Sequence, residues 1–322
     1  MGSYWTGSSS ALNLQLLVWL HSLSVIMKRH YLKTTPLLAQ TKRLLRHFDL
    51  RARKRLGQHF LVDEDVLQMV ISAAGLTPTD VIVEIGPGLG VLTRELARQA
   101  GWVVAVELDN KLADILKQDL ASFDNVTIIN ADILQIESAD LLQEPKAGFP
   151  LNIPFNYKVV ADLPYYITSP VLRRFLEASV KPQIMVVMVQ KEVAEAIVAE
   201  PGQMSVLSVS VQFYGKPRII SYVPAQCFYP APEVDSAILR IELHPQPLVA
   251  VTDESNFFDL VRAGFSASRK QIVNSLAQGL VLPKAEVLPL LEKAGVVPQR
   301  RAETLTLDEW AQLWQIFNQV RE

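Results

Sequence analysis

The sequence predicts an α/β protein with a mostly parallel sheet, followed by a small all-α domain at the C-terminus. Three observations support this prediction. From about Asp63, short apolar runs alternate with segments of helical apolar spacing, which is typical of βαβ crossovers. The first apolar run, 81–85, ends at a group of glycines. Beyond residue 253, only helical patterns occur.

The predicted elements follow one another regularly. Strands are expected over 81–85, 102–108, 126–130, 157–163 and 184–189, with helices over 66–74, 89–99, 111–120 and 171–179. Two further strand-like runs, 216–223 and 234–243, are joined by a Pro-rich loop and fit an antiparallel pair that closes the sheet. After a linker over 244–253, helices are expected over 255–266, 269–279, 284–294 and 306–319.

The start of the last helix has a specific local signal. Thr306 is followed three residues later by Glu309, which is the spacing of a capping box. The order of the predicted elements divides the chain into an N-terminal extension (1–50), an α/β domain (51–245) and a helical domain (246–322).

Composition excludes several classes of protein. The chain has 322 residues, of which 49% are hydrophobic and 20% charged, so a globular protein of about two domains is expected rather than a disordered or fibrous one. Its only cysteine, Cys227, excludes a disulfide framework and a thiolate metal site. The five histidines never pair at ligand spacing, so we expect no metal.

The N-terminal extension joins an apolar leader to a basic arm. Residues 28–55 contain ten Lys or Arg and a single acid, Asp49, although the whole chain has a formal charge of −2. Such an arm indicates either a polyanionic partner or a solvated tail.

The apolar run 11–27 follows an uncharged flank and is interrupted by polar residues, so neither a signal peptide nor a membrane span is favoured. We expect translation to start at Met27, or residues 1–26 to be a poorly structured extension. Either way, we expect residues 1–50 to be poorly ordered and the protein to be a cytoplasmic monomer.

A glycine turn marks a candidate cofactor site. The segment from Glu84 to Gly90, EIGPGLG, lies at the end of the first predicted strand of the sheet and opens a helix. Gly86 and Gly88 allow a tight turn and close approach of a ligand to the backbone. The GxGxG spacing differs from the GxGxxG of dinucleotide folds and therefore disfavours a pyrophosphate ligand.

Acidic residues follow the next two strands. Glu107, with Asp109 just beyond it, ends the second strand, and Asp132 follows the third. A carboxylate at the first position can accept both ribose hydroxyls, and Asp132 can accept from an adenine amino group. A single acid at a strand end is more often a helix cap. Together with Glu84 and the glycine turn, these acids predict a cofactor that contains adenosine.

The fourth strand ends in a candidate chemical site, Asp162-Leu163-Pro164-Tyr165. This segment resembles the tetrapeptide of methyltransferases that act on exocyclic amino nitrogens. An aromatic amine is a poor nucleophile, so a side-chain oxygen and a backbone carbonyl must orient its nitrogen, while Tyr165 stacks on the base. In isolation, the segment would indicate a strand-end turn with a core tyrosine.

Beyond these motifs, the chain from about residue 51 to 320 resembles the small-subunit rRNA adenine dimethyltransferases. The shared motifs are Arg55-Leu56-Gly57-Gln58-His59-Phe60-Leu61, EIGPGLG (84–90), VELD (106–109), NADIL (130–134), DLPYYITSP (162–170), FYPAPEVDS (228–236) and the segment 263–276.

The resemblance implies a Rossmann-like sheet that uses S-adenosylmethionine to dimethylate N6 of two adjacent adenosines. These adenosines lie in the 3′-terminal hairpin loop of small-subunit rRNA, within a pre-ribosomal particle. The helical domain would dock on the rRNA, with phosphate contacts from Arg269, Lys270 and the basic arm. The resemblance also implies a sandwich of the target adenine between Tyr165 and Phe228. The implied cofactor contacts are His59, Leu61, Gly86, Glu107, Asp132 and Asp162, and we add Glu84 and Gly88 from the glycine turn.

Three residues depart from the family pattern. His59 and Asp162 each stand where Asn is usual, and Ser268 replaces the first Arg of a basic run. We expect Asp162 mainly to position the nitrogen, because an ordinary Asp pKa near 4 makes a weak base.

Three alternatives to this function remain open. The antibiotic-resistance branch methylates large-subunit rRNA and shares the sheet motifs, but the 269–274 segment and RRAETLTLDEW (300–310) favour the small-subunit branch. A non-catalytic ribosome-assembly factor of the same fold is disfavoured by the intact Glu107, Asp132 and Asp162-to-Tyr165 segment. A nicotinamide oxidoreductase is opposed by the glycine spacing.

Overall fold

The computed structural model describes residues 36–50, 57–143 and 157–321, and it contains one large mixed sheet and one two-stranded sheet. The strands are β1 (Phe60–Leu61), β2 (Val81–Ile85), β3 (Trp102–Glu107), β4 (Val126–Asn130), β5 (Tyr157–Asp162), β6 (Ile184–Gln190), β7 (Gly215–Val223), β8 (Phe228–Tyr229) and β9 (Ser236–Leu243).

The large sheet has the strand order β4-β3-β2-β5-β6-β9-β7. Its first five strands are parallel, whereas β9 is antiparallel to both β6 and β7. The predicted parallel sheet with an antiparallel closing pair is therefore confirmed. β2 and β3 are buried along their whole length because helices cover both faces of the sheet, which explains their continuous apolar sequence.

The helices of the described residues surround this sheet and extend beyond it. They are α1 (Pro36–His47), α2 (Glu64–Ala74), α3 (Val91–Gln99), α4 (Asn110–Asp119), α5 (Thr168–Leu176), α6 (Lys191–Ile197), α7 (Val206–Tyr214), α8 (Glu254–Phe265), α9 (Ile272–Gly279), α10 (Lys284–Lys293) and α11 (Leu307–Arg321).

Helix α1 corrects the expectation of poor order only for residues 36–47 of the N-terminal extension. Leu37, Thr41 and Leu45 recur at four-residue spacing on one face of the helix, and all three are buried. This apolar face packs on the body of the protein, which accounts for a regular helix within the basic arm. The leader 1–26, and the parts of the arm at 28–35 and 51–56, lie outside the described residues. Nowhere in the described chain is a helix long and apolar enough to cross a membrane.

The C-terminal helices confirm the predicted cap and correct one boundary. The Thr306 amide donates to Glu309 Oε2 at 2.8 Å, and the Glu309 amide donates to Thr306 Oγ1 at 3.1 Å, which completes the capping box. Helix α9 begins at Ile272 rather than at residue 269. The hydroxyls of Ser266 and Ser275 donate to backbone carbonyls across the preceding turn, at 3.0 Å each, and hold it in a non-helical form.

The helical segment and the sheet share one apolar core. Phe213 of α7 stacks on Phe257 of α8, with ring centroids 5.0 Å apart. Trp310 of α11 is fully buried and stacks on Phe265 of α8. The core therefore continues from one face of the sheet into the C-terminal helices, whereas the opposite face holds a second cluster with α2 and α3.

Candidate functional site

A cavity of about 230 Å³ lies at the carboxyl edge of the parallel strands β2, β3 and β5. This is the edge at which open α/β sheets bind ligands. All the side chains and glycines predicted for the site line this one cavity: His59, Leu61, Glu84, Gly86, Gly88, Glu107, Asp132, Asp162, Leu163, Pro164, Tyr165 and Phe228.

The glycine turn after β2 requires a backbone conformation that other residues rarely adopt. Gly86, Gly88 and Gly90 have φ angles of 67°, 58° and 73°. A Cβ on Gly90 would lie 2.8 Å from Leu116, and a Cβ on Gly88 would lie 3.3 Å from the ring of Phe60. The turn is thus closely packed, and the bare backbone of Gly86 and Gly88 lines the cavity.

Glu107 is fixed in place at the end of β3. The amide of Gly88 donates to its Oε2 at 3.1 Å, and the amide of Asp109 donates to its Oε1 at 2.9 Å. Burial raises the pKa of this carboxyl, an effect that the two amide bonds partly offset. The carboxylate therefore couples the glycine turn to the end of β3, and each oxygen keeps a further lone pair for a ligand.

Glu84 is almost fully buried beneath the glycine turn, with 1% of its surface exposed. Within the described part of the chain, its Oε2 has no hydrogen-bond partner. Burial raises the pKa of this carboxyl to about 8, an effect that the neighbouring Thr93 hydroxyl partly offsets. An unpaired buried oxygen in the cavity wall is costly unless a ligand supplies a donor.

Two of the acids that follow the strands cap helices. Asp109 accepts from the amides of Lys111 and Leu112 at the start of α4 and does not line the cavity. Asp132 accepts from the amide of Leu134 at 3.0 Å and from Nε2 of Gln135 at 3.2 Å. Unlike Asp109, Asp132 does line the cavity, so its capping bonds also orient it there.

Asp162 and Tyr165 form the end of the cavity next to β6. The amide of Leu163 donates to the carbonyl of Met188 at 3.1 Å, and Pro164 leads into a short 3₁₀ turn, Tyr165–Ile167. The hydroxyls of Tyr165 and Ser236 are hydrogen-bonded at 2.8 Å. The sequence indicated no partner for Tyr165, although Ser236 ends the recognised FYPAPEVDS motif.

The environment of Asp162 corrects the expectation of an ordinary pKa. Burial raises the pKa of this carboxyl to about 8. Among the described residues, no donor forms a hydrogen bond with it that would stabilise the charged form. This desolvation favours the protonated form of the carboxyl when no ligand is bound.

A short strand pair brings His59 and Phe228 to the cavity. Leu61 of β1 is paired with Phe228 of β8, a contact that sequence patterns did not predict. His59 Nδ1 lies 2.7 Å from the carbonyl oxygen of Pro230. Because a carbonyl only accepts, Nδ1 carries the proton, and Nε2 is the nitrogen left for other contacts. The His59 ring lies nearly parallel to that of Tyr165, with centroids 6.2 Å apart.

Helix α1 lies beside the cavity. Its Leu45 belongs to one apolar cluster with Phe60, Leu89 and Leu112, residues that line the cavity. Lys42 Nζ lies 5.0 Å from the ring centroid of Tyr229 in β8. The part of the basic arm that the structure describes is therefore connected to both the glycine turn and the β1–β8 pair.

Arg269 and Lys270 lie outside the cavity, in the turn between α8 and α9. Both are exposed, and Lys270 Nζ donates to Gln278 Oε1 at 3.1 Å. Ser268 lies in the same turn. Across residues 36–50, 57–143 and 157–321, no three His, Cys, Asp or Glu side chains are grouped to hold a metal ion.

Comparison with known proteins identifies relatives along most of the chain. Residues 49–319 match the family model described as ribosomal RNA adenine dimethylase. The "Ribosomal RNA small subunit methyltransferase A" of Dehalococcoides mccartyi is 50% identical over 286 residues, which is 89% of this chain and 95% of the relative. The protein of the same name from Pelotomaculum thermopropionicum is 44% identical, over 87% of this chain and 96% of its own.

Solved structures share the fold. The 23S rRNA methyltransferase ErmE superposes with a TM-score of 0.62 at 28% identity, covering 80% of this chain and 99% of its own. A dimethyladenosine transferase from Plasmodium falciparum superposes with a TM-score of 0.66 at 24% identity, covering 81% of this chain and 98% of its own. These similarities confirm the predicted Rossmann-like methyltransferase fold.

Proposed function

The chain belongs to the ribosomal RNA adenine dimethylases, and from this membership we propose that it dimethylates N6 of two adjacent adenosines in small-subunit rRNA. The target would be the 3′-terminal hairpin loop within a pre-ribosomal particle. The observation that supports this most directly is the convergence on one cavity of the glycine turn, Glu107, Asp132 and the Asp162-to-Tyr165 segment.

The cavity fits S-adenosylmethionine. Glu84 provides an unpaired buried oxygen for a cationic donor, and the glycine turn provides bare backbone. Glu107 would accept from the ribose hydroxyls and Asp132 from the adenine amino group, while His59 and Leu61 would line the opposite wall. When bound, the cofactor supplies an electrophilic methyl group on a sulfonium.

The other half of the cavity suits a flipped adenine. The amino nitrogen would donate to Asp162 and to the Leu163 carbonyl, which turns its lone pair toward the methyl group. Tyr165, held by its bond to Ser236, and Phe228 of β8 would pack on the two faces of the base. As transfer proceeds, positive charge develops on the nitrogen, and the Asp162 carboxyl is the acidic group that faces it.

The small-subunit target is favoured over the large-subunit alternative by the relatives. Proteins named for the small subunit reach 50% identity over 89% of the chain, whereas ErmE, named for 23S rRNA, has 28% identity over 80%. The basic arm (28–55), Arg269 and Lys270 would contact rRNA phosphates, and the domain over 246–322 would dock on the particle. We also propose that the protein acts as a monomer in the cytoplasm without a metal ion.

A methyl-transfer assay tests this function. Purified immature small subunits and mature large subunits are incubated with the protein and S-adenosylmethionine labelled on its methyl group, and the modified nucleosides are identified by mass spectrometry. We expect N6,N6-dimethyladenosine in small-subunit rRNA only. Transfer to large subunits would support the resistance branch, and particle binding without any transfer would support the assembly factor.

A further inference from the structure

Three tyrosines among the described residues expose more than a third of their surface. They are Tyr166 (56%), Tyr222 (48%) and Tyr229 (36%). Two of them have a lysine over the ring: Lys191 Nζ is 5.3 Å from the Tyr222 centroid, and Lys42 Nζ is 5.0 Å from that of Tyr229. Tyr166, the most exposed of the three, has neither a cation, a stacked ring nor a hydrogen-bond partner within the described chain, and it lines the rim of the cavity.

Tyr166 is held at this rim by the geometry of its turn. It follows Tyr165 in the 3₁₀ turn Tyr165–Ile167, which is closed by a 3.1 Å bond from the Ile167 amide to the Pro164 carbonyl. Because such a turn has about three residues per revolution, neighbouring side chains diverge by about 120°. Tyr165 accordingly contacts Ser236, whereas the ring of Tyr166 lies beside Gly57.

Gly57 provides the surface beside Tyr166. A Cβ on Gly57 would lie 3.7 Å from Cδ1 of the Tyr166 ring and 3.7 Å from Cβ of Pro164. The φ angle of Gly57 is 58°, a conformation that disfavours other residues. The ring thus packs beside bare backbone at one edge, and more than half of the side chain remains open to solvent.

We propose that Tyr166 stacks on an unpaired nucleotide that flanks the target adenosine. The proposal rests on the proposed function, because it places the target adenine beside Tyr165. When the target adenosine flips out of the loop, the nucleotide beside it loses a stacking partner. Tyr166, which follows Tyr165 in the sequence, replaces that partner. A neutral phenol ring recognises a base through its π face, whatever the base identity.

Fluorescence of a substituted RNA tests the proposal. Hairpin RNAs with the sequence of the 3′-terminal loop carry 2-aminopurine at the nucleotide on the 5′ or the 3′ side of the adenosine pair. Stacking on a tyrosine quenches this probe. We expect wild-type protein and Tyr166→Phe to quench it at one flank, whereas Tyr166→Ala leaves it bright and binds the hairpin about tenfold more weakly.

Tyr222→Ala is the matched control, because it removes a similarly exposed tyrosine that does not line the cavity, and we expect wild-type quenching from it. Quenching by Tyr166→Ala at the wild-type level would overturn the proposal, as would the absence of quenching by wild-type protein at both flanks. Loss of quenching in Tyr222→Ala and Tyr166→Ala alike would also overturn it. Methyl transfer by wild-type protein to small subunits, measured separately, reports on the proposed function without involving this probe.

Discussion

Asp162 differs from two other acids of the cavity, Glu107 and Asp132, in its surroundings. Glu107 accepts two amide bonds and Asp132 caps a turn, whereas Asp162 forms no hydrogen bond in the described chain and its pKa is raised to about 8 by burial. A protonated carboxyl has one carbonyl acceptor and one hydroxyl donor, and it therefore matches the amide of Asn in shape and polarity. This explains how Asp can occupy a position at which the family usually has Asn.

We therefore expect Asp162→Asn to retain activity within about tenfold of wild type at neutral pH, which is about 1.4 kcal/mol of barrier. Asp162→Ala should lose about a hundredfold or more in kcat, because it removes the group that orients the nitrogen. Single-turnover methylation of immature small subunits at saturating cofactor measures both. An Ala variant with the wild-type rate would remove Asp162 from the chemical site.

The raised pKa of Asp162 also predicts a pH dependence. Below pH 8 the carboxyl is mainly protonated, and above it the carboxylate accepts with both oxygens and faces the developing positive charge. At subsaturating cofactor, where the rate reports ionisation of the free protein, the wild-type single-turnover rate should therefore rise through about pH 8, while the rate of Asp162→Asn stays flat. Parallel pH profiles for the two proteins would show that ionisation of Asp162 does not contribute.

Glu107 serves the cofactor site in two ways, since it binds the glycine turn and faces the cavity. Hydrogen bonds to a charged group contribute about 1.5–3 kcal/mol each. Glu107→Ala should therefore weaken S-adenosylmethionine binding at least tenfold, measured by calorimetry. Asp109→Ala is the control, because it removes a neighbouring helix cap outside the cavity and should lower stability by about 1 kcal/mol with little change in cofactor affinity. Unchanged affinity in folded Glu107→Ala would exclude Glu107 from the site.

At the scale of elements, helix α1 connects the basic arm to the cavity. Its buried face meets Phe60, Leu89 and Leu112 through Leu45, whereas Arg43 and Arg46 lie on the exposed side. The Nζ of Lys111 also donates to the carbonyl of Asp49 just after the helix, at 3.1 Å. The arm thus has a packing role next to the cofactor site in addition to the RNA contact that its charge predicts.

Deletion of residues 1–50 should therefore have two effects. It should lower the slope of log RNA affinity against log salt, by roughly 0.7–0.9 for each lost phosphate contact. It should also raise the dissociation constant of S-adenosylmethionine about tenfold, because Phe60 and Leu89 lose their apolar packing against Leu45 of α1. The double variant Arg43→Ala, Arg46→Ala is the control that should change only the salt slope. Wild-type cofactor affinity in the deletion variant would show that α1 does not contribute to cofactor binding.

At the scale of the whole molecule, two desolvated acids, the buried Glu84 and the partly buried Asp162, link stability to pH. The pKa values of Glu84 and Asp162 are raised to about 8 by burial, from ordinary values of 4.5 and 3.8. At pH values between the ordinary and the raised pKa, both carboxyls are protonated in the folded protein and ionised in the unfolded chain. The free energy of unfolding is therefore highest at low pH in this window and falls as pH rises toward 8.

Replacement of Glu84 by Gln should remove one of these contributions. Urea unfolding without cofactor at pH 6, 7 and 8 should show a shallower decline for Glu84→Gln than for wild type. Asp114→Asn, which changes an exposed acid on α4, should leave the wild-type slope unaltered. Equal slopes for Glu84→Gln and wild type would mean that Glu84 is ionised in the folded protein.

The sequence by itself determined the features that depend on local spacing. The alternation of apolar runs and helical patterns predicts the parallel sheet, and the glycine turn follows directly from the residues after β2. The Thr306–Glu309 capping box lies within one helical turn and forms as its spacing predicts. Parallel strands place their carboxyl ends along one edge, so the gathering of Glu84, Glu107 and Asp162 was also accessible from the sequence.

Only the tertiary structure decided the features that arise between distant segments. His59 contacts the Pro230 carbonyl, although the two residues are 171 positions apart in the sequence. Helix α1 is a regular helix beside the cavity because its apolar face packs in one cluster with Phe60 and Leu112. The pKa of Asp162 likewise depends on the side chains that surround it and exclude water. Desolvation and long-range pairing are set by what packs against a residue from elsewhere in the fold, and the periodicity of its own segment carries no information about that.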